Sequence, residues 1–200
     1  MNHLPIVVGI SGASGSVYGV RLIKALVESQ VEVMVILSDA GKGVLFHEMR
    51  MDPEQPFSDV LLASGVGPDA LDRVTVLSQH QMASETASGS FLHSGMVVCP
   101  CSMKTLSAIA AGYADNLLTR SADVCLKERR PLVVVPRETP FNLIHLENMA
   151  AITRAGGVIL PPSPSFYSFP ATLEALVDTV VARILDHLKV EHDLIPRWGS

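Results

Sequence analysis

Short β-branched runs alternate with helix-like segments along the whole chain, and this alternation constrains the fold more than any other feature. The apolar runs that read as strands are Ile6–Ile10, Val31–Leu37, Val74–Leu77, Met96–Cys99 (closed by Pro100), Leu132–Val135 and Val158–Leu160. Most are followed by a stretch with apolar residues at helical spacing. Such a chain forms right-handed βαβ crossovers, in which helices cover both faces of a parallel sheet. The sequence therefore predicts a three-layer α/β/α fold with a mainly parallel sheet, in a single domain over residues 1–200.

The composition carries more apolar surface than a typical domain needs. Hydrophobic residues make up 48% of the chain and charged residues only 18%, against about 25% charged residues in an average soluble domain. This composition excludes disorder, because the chain has ample apolar surface to offset its folding entropy. The surplus can fill a doubly covered sheet, an apolar pocket or surface hidden between subunits.

Charge and targeting signals exclude several other classes of protein. The net charge of −5 argues against nucleic-acid binding, which leaves a basic footprint. No apolar stretch approaches the roughly 18 residues of a membrane span, and the first residues lack the basic start of a signal peptide. The three cysteines, Cys99, Cys101 and Cys125, are an odd number and form no disulfide framework. The sequence therefore predicts a cytoplasmic protein.

Ligands of parallel sheets bind at the carboxyl ends of the strands, so the loops that follow the strands are the candidate site. These loops are Ser11–Gly15, Ser38, Ser88–Ser90, Pro100–Thr105, Arg137–Pro140 and Ser163–Tyr167. Gly9, Gly12 and Gly15 form Gly-x-x-Gly-x-x-Gly, which is neither the dinucleotide-binding pattern nor a P-loop. Its small residues allow backbone N–H groups to approach a phosphate or a flat ring, and a tight turn without ligand is the alternative.

The segment from Cys99 to Thr105 has two interpretations. A Cys-x-Cys pair with one further cysteine and no neighbouring histidine makes a poor zinc site, and the seven histidines show no ligand spacing, so no metal is predicted. Small buried cysteines closing a strand are the favoured interpretation. Ser102 and Thr105, at the start of the next helix, are better placed to bind an anion.

Three groups of cations remain to be explained. Lys127-Glu128-Arg129-Arg130 reads as a solvated helix end whose cations complement the helix dipole. Arg137 and Glu138 follow a strand directly, and therefore face the ligand crevice. Arg183 lies among apolar residues of the last helix, where either a ligand role or a snorkelling surface arginine fits.

Taken together, these motifs resemble the UbiX-type flavin prenyltransferases (the UbiX/Pad family), which belong to a flavoprotein superfamily with the flavin-containing cysteine decarboxylases. The matching segments, in order along almost the whole chain, are 9–15, 99–105, 126–132, 135–140, 145–149 and 196–199. The resemblance implies a Rossmann-like (flavodoxin-like) fold. It also implies an enzyme that joins a dimethylallyl group from dimethylallyl phosphate to N5 and C6 of reduced FMN. The product, prenylated FMN, would serve a UbiD-type decarboxylase of ubiquinone or aromatic-acid metabolism, and no metal would be required.

The resemblance also implies roles for individual residues. The FMN-binding residues would be Gly12, Ala13, Ser14, Ser38, Ser102, Met103, Lys104, Thr105 and Arg137. The ligands of the prenyl phosphate would be Lys127, Tyr167 and Arg183, with Arg120 as a further candidate for the crevice. The catalytic residues would be Ser14, Glu48, Lys127 and Glu138. This set fits the chemistry, because a departing phosphate needs fixed cations and alkylation of the flavin needs a proton relay.

Two further expectations concern the cover of the site. Trp198, the only tryptophan, is proposed as a lid that shields the allylic cation from water, and an ordinary docked tail is the alternative. Some family members carry Asn-Asp and an aromatic residue before the Ser88–Ser90 loop. This chain has Gln79-His80-Gln81-Met82 there, so a flavin cover from that loop is in doubt.

Two rival functions stay open at this stage, an FMN-dependent cysteine-type decarboxylase and a non-catalytic FMN-binding carrier subunit. His47 is the nearest candidate for the early active-site histidine of such a decarboxylase. The apolar surplus predicts extensive subunit contacts, and the resemblance implies a homododecamer with flavin sites at subunit junctions.

Overall fold

Six parallel strands form the centre of the protein in a computed structural model that describes residues 4–197. The strands are β1 (Ile6–Ile10), β2 (Val33–Leu37), β3 (Val74–Ser78), β4 (Gly95–Cys101), β5 (Leu132–Pro136) and β6 (Val158–Ile159). Their order across the sheet is β3-β2-β1-β4-β5-β6. The chain therefore winds outward from β1 in one direction and then from β4 in the other, so a crevice opens between the carboxyl ends of β1 and β4.

Within residues 4–197, seven α-helices cover the two faces of this sheet. They are α1 (Ser16–Glu28), α2 (Asp39–Met49), α3 (Phe57–Ala63), α4 (Met103–Ala111), α5 (Leu117–Lys127), α6 (Leu143–Arg154) and α7 (Leu173–Leu188). Alternate side chains of a strand point to opposite faces. Ile6, Val8 and Ile10 accordingly pack with α1, α2, α3 and α7, whereas Val7 packs with α4, α5 and α6. The predicted three-layer fold with a parallel sheet is confirmed.

The directions of α5 and α7 matter for the site, because both helices run from the carboxyl edge of the sheet to its amino edge. Leu117, the first residue of α5, donates its N–H to the carbonyl of Gln79, just beyond β3. The chain leaves α5 at Lys127 and begins β5 five residues later, at Leu132. At the end of α7, the Leu188 side chain lies beside the backbone of Gly95 at the start of β4. Residues near the C-terminal ends of these helices therefore lie toward the amino edge.

The Ser88–Ser90 loop differs from the expectation that it borders the carboxyl ends of the strands. Arg120 of α5 donates to the Ala87 carbonyl, and Arg130 donates to the carbonyls of Gly89 and Phe91. These bonds bind the loop along α5 as the chain returns to the amino edge to begin β4. The prediction that this loop borders the carboxyl ends of the strands was wrong. The connection after β3 is long, and it carries the chain back toward the amino edge before β4 begins.

Strand β4 also differs, since it continues through Pro100 to Cys101 instead of closing at the proline. Its pairing with β5 shifts between Val98 and Cys101, and this irregularity accommodates a residue that lacks an N–H. The carbonyl of Pro100 accepts a hydrogen bond from the Ser11 N–H, and the Cys101 carbonyl accepts one from the Arg137 N–H. Three strand ends are thereby tied together at the carboxyl edge.

Within residues 4–197, no helix is both long and apolar enough to cross a membrane.

Candidate active site

A cavity of about 230 Å³ lies at the carboxyl edge, beside the crevice between β1 and β4. Its walls come from the loops after four strands and from the start of α5: Gly12, Ser38, Asp39, Ala40, Gln79, Ser102, Lys104, Thr105, Asn116 and Leu118. Five of the residues predicted to bind FMN share this cavity, namely Gly12, Ser38, Ser102, Lys104 and Thr105. Ala13 is buried next to it, and Met103 packs against the core under α4.

Three helices begin at this cavity, each with a side-chain cap. The Ser38 hydroxyl accepts from the Gly41 N–H at 2.9 Å, and the Ser102 hydroxyl accepts from the Thr105 N–H at 3.4 Å. The Asn116 side chain accepts from the Thr119 N–H at 3.1 Å at the start of α5. Helix N-termini concentrate unpaired N–H groups and positive potential. Together with Lys104, they make a cavity suited to a phosphate group.

Helix α2 packs closely against the end of β1, and this contact fixes the position of one wall of the cavity. A Cβ atom at Gly41 would lie 2.3 Å from the carbonyl oxygen of Ile10, a distance that real structures do not tolerate. Glycine at this position therefore lets the first turn of α2 sit directly on the strand end.

Ser11 joins the other wall to the same strand. Its buried hydroxyl donates to the Pro100 carbonyl at 3.1 Å and accepts from the Ser102 N–H at 2.8 Å. The loops after β1 and β4 are therefore linked across the crevice, and the cavity is held open by hydrogen bonds rather than by flexible side chains.

Glu48 lies at the glycine-rich turn and binds its backbone. Its carboxylate accepts from the Gly15 N–H at 3.0 and 3.1 Å and from the Ser16 N–H at 2.8 Å. Partial burial raises the pKa of Glu48, but hydrogen bonds from Ser14, Gly15 and Ser16 outweigh it and hold the pKa below its ordinary value. The structure therefore brings together the predicted catalytic pair Ser14 and Glu48, with Glu48 as an ionised acceptor.

Arg137 and Glu138 follow β5 at the same edge, as predicted, and both are exposed. Burial and the neighbouring Cys99 raise the pKa of Tyr18, whereas the positive charge of Arg137 lowers it, which places Arg137 next to the first turn of α1. The Glu138 carboxylate accepts from the Thr139 N–H at 3.0 Å. It is thus held at the rim, available to solvent and to a ligand.

The predicted ligands of the prenyl phosphate lie elsewhere. Lys127 ends α5 near the amino edge, where its ammonium group pairs with Glu128 beside Gly89. Arg183 lies on α7, in the opposite helix layer, and pairs with Asp186 at 2.9 Å. Tyr167 is exposed in the loop after β6. The structure does not bring Lys127 and Arg183 together in one chain, and their shared role stays a prediction.

Two other predicted residues have the following positions. Arg120 forms an ion pair with Asp123 at 2.7 Å while it holds the Ala87 carbonyl, so it fastens the loop before β4. Trp198 lies outside the described residues, and its role as a lid stays a prediction.

Sequence reasoning missed five cavity residues: Asp39, Ala40, Gln79, Asn116 and Leu118. Asp39 begins α2, Gln79 follows β3 and Asn116 caps α5. Their place in the sequence could have identified Asp39, Gln79 and Asn116, because each lies just after a strand or at the start of a helix.

The cysteines are buried thiols, as the favoured interpretation predicted. Burial raises the pKa of Cys99 and Cys101, and it raises the pKa of Cys125 to about 12. In the described part of the chain, no group of three or more His, Cys, Asp or Glu residues could hold a metal ion.

Comparison with known proteins identifies the family. The family model for Flavoprotein matches residues 1–185. Flavin prenyltransferase UbiX of Pseudomonas aeruginosa is 46% identical over 98% of this chain and 94% of its own length. The corresponding enzyme of Methanothermobacter thermautotrophicus is 43% identical over 96% and 94%.

Solved structures agree with this assignment. The crystal structure of AnUbiX (PadA1) in complex with FMN and dimethylallyl pyrophosphate has a TM-score of 0.86 and 39% identity, and covers 99% of this chain and 98% of its own. A dodecameric FMN-dependent UbiX-like decarboxylase from Escherichia coli O157:H7 has a TM-score of 0.83 and 41% identity, and covers 98% and 100%. The FMN-dependent cysteine decarboxylase TvaF is only 17% identical, at a TM-score of 0.58, and shares the fold alone. The chain belongs to the UbiX flavin prenyltransferase family.

Proposed function

We propose that this protein is a flavin prenyltransferase, which transfers a dimethylallyl group from dimethylallyl phosphate to N5 and C6 of reduced FMN. One observation carries the proposal. Five residues that the resemblance assigns to FMN binding line a single cavity, at the point where three helix N-termini meet. A cysteine-type decarboxylase is not favoured, because the cysteine decarboxylase TvaF is only 17% identical, whereas flavin prenyltransferase UbiX of Pseudomonas aeruginosa is 46% identical.

The residues present fit FMN at its phosphate end. Serine hydroxyls, helix N-termini and Lys104 supply the donors and positive potential that a phosphate dianion requires. When bound, FMN supplies the two nucleophilic ring positions that the reaction alkylates. The cavity of about 230 Å³ is smaller than the roughly 300–1,000 Å³ of typical cofactor pockets. This size suits a cavity that a neighbouring copy of the chain completes.

The donor phosphate would bind to Lys127, Tyr167 and Arg183, and these side chains would stabilise the negative charge on the departing phosphate. Lys127 and Arg183 lie in opposite helix layers toward the amino edge, whereas the flavin cavity lies at the carboxyl edge. We therefore infer that the donor site forms where copies of the chain meet, within a homododecamer. The dodecameric UbiX-like neighbour supports this assembly.

Proton movement would involve the carboxylates at the carboxyl edge. Both alkylated ring positions must lose a proton, and the dimethylallyl double bond must gain one as the ring closes at C6, so an acid–base group is required within reach. Glu138, exposed at the rim after β5, can accept or return a proton through the phosphate. Ser14 and Glu48, joined by a hydrogen bond, would act near N5.

Four wider inferences accompany this function. Residues 1–200 would act as one flavoprotein domain, which is supported by one sheet with a core on each face. The product would pass to a UbiD-type decarboxylase, because prenylated FMN needs an enzyme that uses it. A cytoplasmic location stays a prediction from the sequence, as does independence from metal.

Anaerobic incubation with reduced FMN and dimethylallyl phosphate, followed by mass spectrometry of the flavin, tests the function. We expect the flavin to gain the mass of one dimethylallyl unit and inorganic phosphate to be released in equal amount. Tightly bound flavin of unchanged mass would contradict the proposal and would favour a non-catalytic flavin carrier.

A further inference from the structure

One wall of the flavin cavity carries a charge that does not suit a phosphate. Asp39 lines the cavity alongside Ser38 and Lys104. An acidic residue in the first turn stabilises its own helix, because it faces the positive end of the helix dipole. The same carboxylate would repel a phosphate dianion bound at that helix end.

A histidine from the neighbouring loop pairs with this carboxylate. The His80 Nε2 atom lies 2.9 Å from the Asp39 Oδ2 atom. The loop after β3 holds His80 in place, since the His80 N–H donates to the Ser78 hydroxyl and the His80 carbonyl accepts from the Met82 N–H. The contact joins residues 41 positions apart and spans the ends of β2 and β3.

Asp39 is negatively charged near neutral pH, so the pairing has electrostatic consequences. The hydrogen bond from His80 lowers the pKa of Asp39 below its ordinary value, and the positive charge of Lys42 lowers it further. Lys42 lies on the far side of Asp39, along a second cavity under β3, and does not line the flavin cavity. His80 and the Gln79 side chain, which also hydrogen-bonds Asp39, are therefore the groups that occupy the Asp39 carboxylate at the flavin cavity, and His80 has the larger effect on its pKa.

We propose that His80 is an affinity determinant for the FMN phosphate, because it masks the charge of Asp39 at the wall of the phosphate-binding cavity. The inference rests on the proposed function, since it assumes that this cavity receives FMN. His80 lies in the Gln79–Met82 segment, where this chain departs from the pattern of some family members. Through this pair, the chain can change its affinity for the FMN phosphate while the residues that cap the three helices stay the same.

The change in affinity should occur only for a flavin that carries a phosphate, so a flavin without phosphate serves as the reference. Riboflavin has the same ring and ribityl chain as FMN but lacks the phosphate. Loss of His80 should weaken FMN binding and leave riboflavin binding unchanged. Removal of the Asp39 charge should cancel the loss, because no unmasked carboxylate then remains.

The experiment measures dissociation constants for oxidised FMN and for riboflavin by flavin fluorescence, in the wild type, H80A, D39N and the double variant. We expect H80A to bind FMN about fivefold more weakly, the scale of one lost hydrogen bond. We expect the double variant to bind FMN as the wild type does. Both side chains are mostly exposed, at 68% and 71% of their full area, so neither change removes a core contact. H187A, an exposed histidine on α7, is the matched control and should bind both flavins normally.

Three results would overturn the inference. H80A could bind FMN as tightly as the wild type, it could lose FMN and riboflavin affinity equally, or D39N could fail to restore the lost affinity. These results leave the proposed function intact, because the wild type would still bind FMN. Failure of the wild type to bind FMN would instead overturn the proposed function, and this inference with it.

Discussion

The flavin cavity and the donor-phosphate residues are built in opposite ways. In the cavity, four strand ends and three helix starts converge, and hydrogen bonds from Ser11 tie its two sides together. The predicted donor residues Lys127 and Arg183 instead lie on helices of opposite layers, and each pairs with a carboxylate next to it or one helical turn away. One chain therefore brings five residues proposed to bind FMN into one cavity, the flavin cradle, but it does not bring the predicted donor residues Lys127 and Arg183 together.

The surplus of apolar residues noted in the composition is found in part as exposed side chains on two regions of the structure. Helix α6 buries only Ile152 fully, whereas Leu143, Ile144 and Leu146 are exposed. Phe166, Phe169 and Leu173 are exposed around the loop that carries Tyr167. Contiguous exposed apolar surface marks interaction sites. The group around Phe166 and Phe169 lies beside Tyr167, one of the predicted donor residues, which supports a donor site formed between copies.

The largest expected effect comes from breaking the cradle. Gly41→Ala places a Cβ against the Ile10 carbonyl and forces α2 away from β1. We expect a loss of about 2–3 kcal/mol in the free energy of unfolding, the scale of overpacking in a tight site, together with loss of FMN binding. Urea denaturation and flavin titration measure the two effects.

Gly43→Ala is the matched control for this change. Gly43 lies two residues further along the same helix, with open space around its Cβ position. Alanine is the better helix former, so this variant should be stabilised by about 0.5–1 kcal/mol and bind FMN normally. Equal behaviour of the two variants would show that the cradle does not depend on this close contact.

The next largest effect concerns proton transfer at the rim of the cradle. Glu138→Gln should slow product formation by about 100-fold or more, because it removes an acid–base group, while FMN stays bound. Single-turnover mass spectrometry of the flavin measures the rate. Glu147→Gln, an exposed change on α6, is the control. Full activity of Glu138→Gln would remove this carboxylate from the mechanism.

A smaller effect is expected at the donor residues. Arg183→Ala should raise the KM for dimethylallyl phosphate roughly tenfold, the scale of one lost charged hydrogen bond, and leave the FMN dissociation constant unchanged. Arg154→Ala, in the last turn of α6, serves as the control. An unchanged KM would identify Arg183 as a surface arginine that merely snorkels from α7.

The smallest effect is a change in the pH dependence of stability. The pKa of Glu48 is lower in the folded chain than its ordinary value of 4.5. Its contribution is therefore fully present above pH 4.5 and is lost as the pH falls through the folded pKa. Because Glu48 is exposed, we expect about 1 kcal/mol or less.

Urea denaturation at pH 7 and near pH 3.5 measures this contribution. Glu48→Gln should lose stability at pH 7 and show a shallower decline in acid, whereas the exposed control Glu32→Gln should follow the wild type. An acid decline as steep in Glu48→Gln as in the wild type would contradict the role of Glu48 as an ionised acceptor at the glycine-rich turn.

Much of the flavin cradle was predictable from the sequence, because its parts are local. β-branched runs form the strands, and Ser38 and Ser102 cap the helices that follow them. The order of the chain then places these caps at one edge of the sheet. The continuation of β4 through Pro100 was not predictable, since it depends on hydrogen bonds that the N–H groups of Ser11 and Arg137, at the ends of β1 and β5, donate to carbonyls of β4.

Features that depend on long-range contacts were beyond sequence reasoning. The Ser88–Ser90 loop lies near the amino edge because Arg130, just before β5, donates to the Gly89 carbonyl, and no local pattern signals that bond. The segment from Asp52 to Asp72 contains α3, which is too short at seven residues to show a clear helical period. The pairing of Asp39 with His80 likewise joins two loops through the neighbouring strands β2 and β3.

Subunit complementation tests most directly whether the donor site is shared between copies. Lys127→Ala and Arg183→Ala chains with different tags are coexpressed, and mixed oligomers are assayed for prenylated FMN at donor concentrations below KM. If the two residues come from different copies, about a quarter of the sites in a random equal mixture regain both side chains, as expected for an interface between identical subunits. The mixture would then exceed either variant alone. Activity no higher than the average of the two variants would show that Lys127 and Arg183 do not act across a subunit boundary.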